Sequence, residues 1–279
     1  MRKTPAKPTS TTSAEMLLRL SDANRRLPPH GDLPPMSRSR RTRGLSAPRS
    51  RQQQLWNHTD QMKLLSVLML ALCSPTSVVG AGEALFQDDF AGKLRDGWSW
   101  VREHPQAWRV TQRGLEVLIE PGNMWGPQNN ARNVLVRPAP DLTKGEIEIS
   151  VTVENKPSNQ YEQVDLVWYY DDSNMVKLGQ ELVDGKLCIV MGREEKDKTR
   201  TIAILPLAST SVRLRFFAKG NQIRGQFRTA EVIEWQHVGE CTLPTPEKST
   251  AKISLQFYQG AADVEHWARV TQFRLRATE

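Results

Sequence analysis

From Ala84 to Arg276 apolar and polar side chains alternate with a period of two, and no ten-residue stretch in that span shows helical periodicity. This feature confines the chain to β structure. Ile147, Ile149, Val151 and Val153 alternate with Glu146, Glu148, Ser150 and Thr152, and Leu115, Val117 and Ile119 with Glu116, Leu118 and Glu120. Turn formers punctuate the runs. Val183-Asp184-Gly185-Lys186 is a hairpin signal, Lys219-Gly220-Asn221 a tight turn, and Pro244 and Pro246 break the pattern. Arg193–Lys198 reads as a charged turn and Ile233–Val238 as a strand. About a dozen strands at roughly 8–12-residue spacing predict one all-β antiparallel sandwich over residues 84–276. That span is long enough to bury a core between two sheets.

The stretch 161–181, YEQVDLVWYYDDSNMVKLGQE, is the most informative. Two alternating runs flank Asp171-Asp172-Ser173-Asn174, a cluster of turn formers. Val164, Leu166, Trp168 and Tyr170 share one face; Tyr161, Gln163, Asp165 and Tyr169 share the other, with Val167 among them. In the second run Val176 and Leu178 face inward, while Lys177 and Glu181 face the other way. The result is a hairpin with one greasy face and one of aromatic, amide and charged groups.

The formal charge of +7 suggests a nucleic-acid partner, but its distribution argues against one. Residues 1–61 hold 12 of the 38 Lys/Arg and 4 of the 31 Asp/Glu, which leaves 26 against 27 for the remainder. The β-rich part is close to neutral, and no basic stripe of the kind phosphate binding needs is legible in it. Residues 1–61 are rich in Pro, Ser, Thr and Arg, a composition that predicts disorder. Two readings of this segment stand side by side: a basic arm for RNA or membrane, or upstream sequence translated from a wrongly chosen start.

Met62-Lys63, the apolar run Leu64–Cys73 and the small residues up to Ala81 follow the order of a secretory signal. The apolar run is too short to span a bilayer. The expectation is therefore a signal peptide over residues 62–81, cleaved near Ala81, and a secreted or periplasmic mature chain with no transmembrane anchor. Cys188 and Cys241 then remain. An oxidising compartment allows them one disulfide, but in separate strands they read more simply as buried thiols.

Nucleophilic catalysis finds little support. There is no GxSxG, and His104, His237 and His266 have no Ser or Cys partner at a telling spacing. No His/Cys cluster resembles a zinc site. Asp88 with Asp89, or Asp171 with Asp172 and Asn174, offers the hard oxygens calcium takes, but turn formation explains them equally well. Thus no cofactor is required. Glu146 and Glu148 face the same way, about 6.5–7 Å apart at the backbone, and side-chain rotamers can bring their carboxyls to the ~5.5 Å of a retaining glycosidase; they lie opposite the apolar face of a plain amphipathic strand, so a solvated face is the better account.

A surface for sugars is the better signal. Aromatic rings stack on pyranose faces, and planar amide, carboxylate and guanidinium groups bond hydroxyls. The polar face of the hairpin offers Tyr161, Gln163, Asp165, Tyr169, Lys177 and Glu181; the strand Ile253–Tyr258 offers Gln256 and Tyr258 opposite Ile253, Leu255 and Phe257. Trp125 stands in a turn-rich loop shortly before Arg132. Trp98, Trp100, Trp108, Trp235 and Trp267 read as core.

Asp88-Asp89-Phe90, Gly97-Trp98-Ser99-Trp100, Tyr161-Glu162-Gln163, Tyr170–Gly179 and the closing strand His266–Leu275 resemble one family. It is the concanavalin A-like domain at the C-terminus of family-43 β-xylosidases, with its stand-alone secreted relatives. The resemblance covers residues 84–276. It implies a two-sheet jelly roll with a concave face and an accessory, carbohydrate-binding role. The catalytic propeller such domains accompany is not in this sequence. Gln272 stands where related sandwiches often carry an Asp before the Phe, which weakens any implied calcium site. Concanavalin A-like glucanases carry Glu-x-Asp-x-x-Glu; here Glu148 replaces the Asp and Val151 the second Glu. The expected partner is thus an oligosaccharide or polysaccharide, bound by Trp125, Arg132, Tyr161, Gln163, Asp165, Lys177, Glu181, Gln256 and Tyr258 without cleavage. The alternatives are a hydrolase or lyase, including one resembling 3-keto-sugar hydrolases, that uses Glu146/Glu148 or Asp165/Glu181, and a protein-interaction module.

Overall fold

The computed structural model describes residues 82–278; the basic stretch 1–61 and the signal-like segment 62–81 lie outside the described residues. In chain order the strands are β1 (Ala84–Asp88), β2 (Ser99–Val101), β3 (Trp108–Thr111), β4 (Gly114–Leu118), β5 (Val134–Pro138), β6 (Glu146–Glu154), β7 (Gln163–Asp171) and β8 (Asn174–Val183). They continue as β9 (Lys186–Glu195), β10 (Lys198–Pro206), β11 (Ser211–Lys219), β12 (Gln222–Arg228), β13 (Gln236–Thr242), β14 (Lys252–Tyr258) and β15 (Trp267–Thr278). Single 3-10 turns are the only helical elements among the described residues, and no helix there is long and apolar enough to cross a membrane.

The strands form two antiparallel sheets. The first runs β13-β12-β11-β6-β15-β4-β3, with β1 also on β15; the second runs β10-β9-β8-β7-β14-β5-β2. The closing strand serves the first sheet twice, because a bulge between Thr271 and Arg274 lets its first half pair with β4 and its second half with β1. Gln272 takes a left-handed φ of 53° there, as an extra residue in a ladder requires.

Inward-facing residues of both sheets make one core. Val117, Ile149, Leu214, Phe216 and Phe273 of the first meet Leu166, Trp168, Leu178, Ile189 and Phe257 of the second. Each such side chain contributes roughly 1.5–3 kcal/mol of transfer free energy. Alternation sorted these residues correctly, and the Asp184-Gly185 hairpin forms with both residues at positive φ.

Some expectations fail. Arg193–Lys198 is not a turn: Arg193, Glu194 and Glu195 extend β9, and only Lys196-Asp197, both at positive φ, reverse the chain. The 233–238 strand starts late, at Gln236, leaving Ile233 exposed. Trp98, Trp100 and Trp108 pack against the core, but Trp235 and Trp267 do not. Trp235 lies under Arg215 and Arg228, and Trp267 under Arg109; long guanidinium stems sheath a ring at the surface as well as a core would.

The carboxylates considered for calcium are held by protein donors. Asp88 is buried and accepts from the backbone N–H of Phe90 (2.8 Å) and Arg95 (3.0 Å) and from Trp98 Nε1 (3.1 Å). Asp89 meets Arg274 at 2.7 Å. Asp171 accepts from Ser173, Asn174 and Ser249, and Asp172 from Arg102 and Tyr169. Glu148 and Glu146 lie 3.7 Å from Arg215 and Arg224 on the outer face of the first sheet. Cys188 and Cys241 are free, buried thiols. Both should react with a thiol reagent slowly in native protein and fully in denaturant; rapid native labelling would contradict their burial.

The near-neutral charge balance hides a local segregation, in which arginines share one sheet face with Glu146, Glu148 and Glu240. Six arginines gather on that face. Register aligns Arg213 with Arg228, Phe217 with Arg224, Ser150 with Arg274 and Glu148 with Arg276 on the outer side of the first sheet, and Arg215 lies in the same rows. A count of charges along the chain cannot register this, because it ignores how period two and strand pairing segregate them.

Candidate functional site

The polar hairpin face lies on the outer side of the second sheet, and the predicted residues do converge there. Gln163 pairs with Glu181 and Tyr258, and Asp165 with Gly179 and Gln256. Lys177 starts two residues from Gly179, and its ammonium reaches Gln163 Oε1 and Glu181 Oε2 (3.0 Å for the latter). The carboxylate of Asp165 lies over Gly179, between the start of Lys177 and its partners. Only glycine permits this packing: a Cβ at residue 179 would sit 1.6 Å from Asp165 Oδ1.

The face is enclosed, which alternation alone did not suggest. Asp165, Gln256 and Tyr258 are 0% exposed and Lys177 2%; Gln163 and Glu181 are also buried. The cover is the β4–β5 loop, residues 119–133. Its Met124 and Ala131 bury against Val136, Val167, Tyr169, Met175 and Tyr258, a second apolar cluster on the outer face. Tyr169 belongs to this cluster, and its hydroxyl bonds Asp172 at 2.7 Å. Asn123 shapes the loop by bonding the N–H and carbonyl of Trp125, and Gly126 N–H donates to Glu194 Oε2 at 3.0 Å. The Trp125 ring rests against Gly192 of β9, where a Cβ would approach Cη2 to 2.4 Å. Lys177 Nζ stands 4.8 Å from that ring and 5.9 Å from the Tyr258 ring.

Two predicted residues stand apart. Tyr161 precedes β7 at φ 66° and is 38% exposed, tied to the cluster through its carbonyl, which accepts from Gln163. Arg132 is exposed and lies 3.7 Å from Glu120, not in the cluster. Glu194 was missed because its segment reads as a turn. The signal was present: Val190, Gly192 and Glu194 alternate out of the core while Ile189 and Met191 enter it.

Three carboxylates surround one ammonium in this enclosure. Burial pushes Asp165 up to about 7, with Lys177 opposing, and burial pushes Glu194 up to about 7 as well. For Lys177 burial pulls down, but Glu181 and Asp165 outweigh it and the net shift is upward. The Tyr258 hydroxyl is pushed well above its ordinary value by burial and by Asp165, so it stays a neutral donor. Among the described residues, both oxygens of Asp165, Gln256 Oε1, Glu194 Oε1 and the Tyr258 hydroxyl make no hydrogen bond of ordinary geometry, although the Tyr258 hydroxyl and the Asp165 carboxyl are close enough for each to shift the other. Buried polar atoms are normally paired. Five of the fifteen buried side-chain atoms left without a partner among the described residues belong to these four side chains on one sheet face.

The Gly192→Ala variant should lift Trp125 and break the Gly126–Glu194 bond. Amides around residues 123–126 are then expected to lose hydrogen-exchange protection while core strands keep theirs. Unchanged protection would mean the loop is held elsewhere.

Two stacked antiparallel sheets with this strand order define a concanavalin A-like β-sandwich. Residues 87–262 match the β-xylosidase C-terminal concanavalin A-like domain, and the chain belongs to that family. No curated protein matches. Among solved structures, the GH43 protein BlXynB of Bacillus licheniformis is 17% identical with a TM-score of 0.61, over 69% of this chain and 39% of that one. A xylan β-1,4-xylosidase of Bacillus halodurans is 19% identical with a TM-score of 0.60, over 68% and 38%. The chain thus corresponds to well under half the length of these enzymes. A functionally unknown Saccharomyces cerevisiae protein matches over 97% of its own length, at 14% identity and a TM-score of 0.52.

Proposed function

We propose that this chain is a secreted, non-catalytic carbohydrate-binding sandwich whose site is the enclosed polar half of the second sheet's outer face. The observation that carries the reading is the set of orphaned polar atoms on Asp165, Glu194, Gln256 and Tyr258. Carboxylate, amide and phenol oxygens left without partners are groups a sugar's hydroxyls pair with, and each leaves a desolvation cost that ligand bonds offset. Trp125, resting on Gly192, and the half-exposed Tyr161 supply rings for stacking at the margin. Entry requires Trp125 and Lys177 to swing aside. Catalysis is not part of the proposal: Glu146 and Glu148 face arginines on the opposite sheet, and the ammonium of Lys177 bonds Glu181.

The family's name makes xylo-oligosaccharides the first ligands to try, within a wider plant and algal glycan panel. Calorimetry on the panel, paired with a reducing-sugar assay, tests the reading. Binding without product supports it, and product formation points to the hydrolase alternative. No binding across the panel removes the reading. Tyr161→Ala should weaken binding roughly three- to tenfold through lost stacking with little change in melting temperature. A large melting shift with unchanged affinity would take Tyr161 out of the site.

A further inference from the structure

We propose that the outer face of the first sheet is a second binding site, for an anionic polysaccharide bearing sulfate or carboxylate groups. It lies on the sheet opposite the enclosed cluster and does not depend on the reading given for that cluster.

The face is built from neighbouring strands in register. Arg224 and Arg228 stand on β12, Arg213 and Arg215 on β11, and Arg274 and Arg276 on β15. Among the described residues, Glu148 approaches Arg215, Glu146 approaches Arg224 and Asp89 meets Arg274. Among the described residues no carboxylate lies within 4.0 Å of the Arg213, Arg228 or Arg276 guanidinium. Arg213 bonds only neutral acceptors, Gln272 Oε1 at 3.0 Å and Ser150 Oγ at 3.2 Å. Burial and the neighbouring Arg228 and Arg274 hold the Arg213 guanidinium below its ordinary value. Like charges gathered this closely oppose one another, and an external polyanion relieves them. The basic stretch 1–61 has the wrong sign to do so.

The chemistry favours a glycan among polyanions. Guanidinium forks bond sulfate and carboxylate oxygens bidentately, and the amides of Gln226 and Gln272 stand between the arginines to meet hydroxyls. Nucleic acid fits less well. Single strands stack on bare rings, whereas Trp235 lies under Arg215 and Arg228, and Phe217 under Arg215 and Arg224. Base readout in a duplex uses a helix or ribbon that enters a groove; this face is the flat side of a sheet.

The test uses the full chain, so that residues 1–61 contribute equally to every variant and the readout is the change on substitution. Binding to heparin, polygalacturonate, neutral dextran and duplex DNA is measured at two ionic strengths, each the same for every variant. Heparin or polygalacturonate should bind and dextran should not; binding of polygalacturonate shows that carboxylates suffice, and binding of heparin alone shows that sulfates are needed. The combined variant Arg213→Gln, Arg228→Gln, Arg276→Gln should bind the anionic glycan about tenfold or more weakly, and the bound fraction should fall with salt. Gln272→Glu, which sets a carboxylate beside Arg213, should weaken it in the same direction. The melting temperature should be unchanged in both variants, so that the loss reads the face and not the fold. Equal heparin and polygalacturonate binding by all three proteins overturns the proposal. So does tighter binding of DNA than of either glycan, when the substitutions abolish it.

Discussion

Asp165→Asn is expected to make the protein more stable at pH 8 and to remove much of its stability change between pH 5 and pH 8. The cause is burial of a carboxyl group in a place where charge is expensive. The Asp165 carboxyl is held up to about 7 in the folded chain, against an ordinary value of 3.8. Below the ordinary value both folded and unfolded chains carry the proton. Between the two values only the folded chain keeps it. The raised value is therefore a stabilising term at low pH that is lost as pH rises through this window and is gone above about 7. Three pKa units correspond to about 4 kcal/mol at most. Glu194, held up to about 7 by the same burial, contributes in the same direction. Urea unfolding of wild type should thus show stability falling from pH 5 to pH 8. The Asn variant should keep only the Glu194 part of that slope. Identical slopes in the two proteins would show that Asp165 is not held neutral.

The second large effect is expected at Glu162. Its side chain is fully buried and takes three donors at once. Oε2 accepts from the backbone N–H groups of Ser158 (2.9 Å) and Asn159 (3.2 Å), and Oε1 pairs with His266 Nδ1 just before β15. The carboxylate thereby ties the loop leading into the central hairpin to the closing strand. Glu162→Ala leaves two backbone donors and a histidine without their partner, and loss of one member of a buried pair typically costs about 3–5 kcal/mol. Glu162→Gln, which keeps the shape and one acceptor, should lose less. Chemical denaturation of the two variants separates these cases. Equal, small losses would mean that water replaces the carboxylate.

His266 shows why such a residue is hard to read. In the chain it has no partner at a telling distance, and its partner lies 104 positions away. Glu162 is legible as part of a family-like Tyr161-Glu162-Gln163 run, but nothing in that run says what it holds. Glu194 was hidden differently. Arg193–Lys198 is charged enough to read as a turn, yet two residues at positive φ suffice to reverse the chain and Glu194 is drawn beneath the loop. Trp235 and Trp267 read as core because they sit in alternating apolar context; arginine stems cover them instead.

What the sequence determined by itself is which side of each strand a residue occupies. Period two is a property of the extended backbone and needs no tertiary information, so the core of Leu166, Trp168, Leu178 and Phe257 and the polar row of Gln163, Asp165, Lys177 and Glu181 were both legible. Tertiary structure alone decided what lies against those sides. Whether a polar row meets water or a folded-back loop depends on Trp125 finding Gly192, and whether scattered arginines form one field depends on β11, β12 and β15 entering one sheet. Both are long-range pairings, set by packing between segments far apart in the chain.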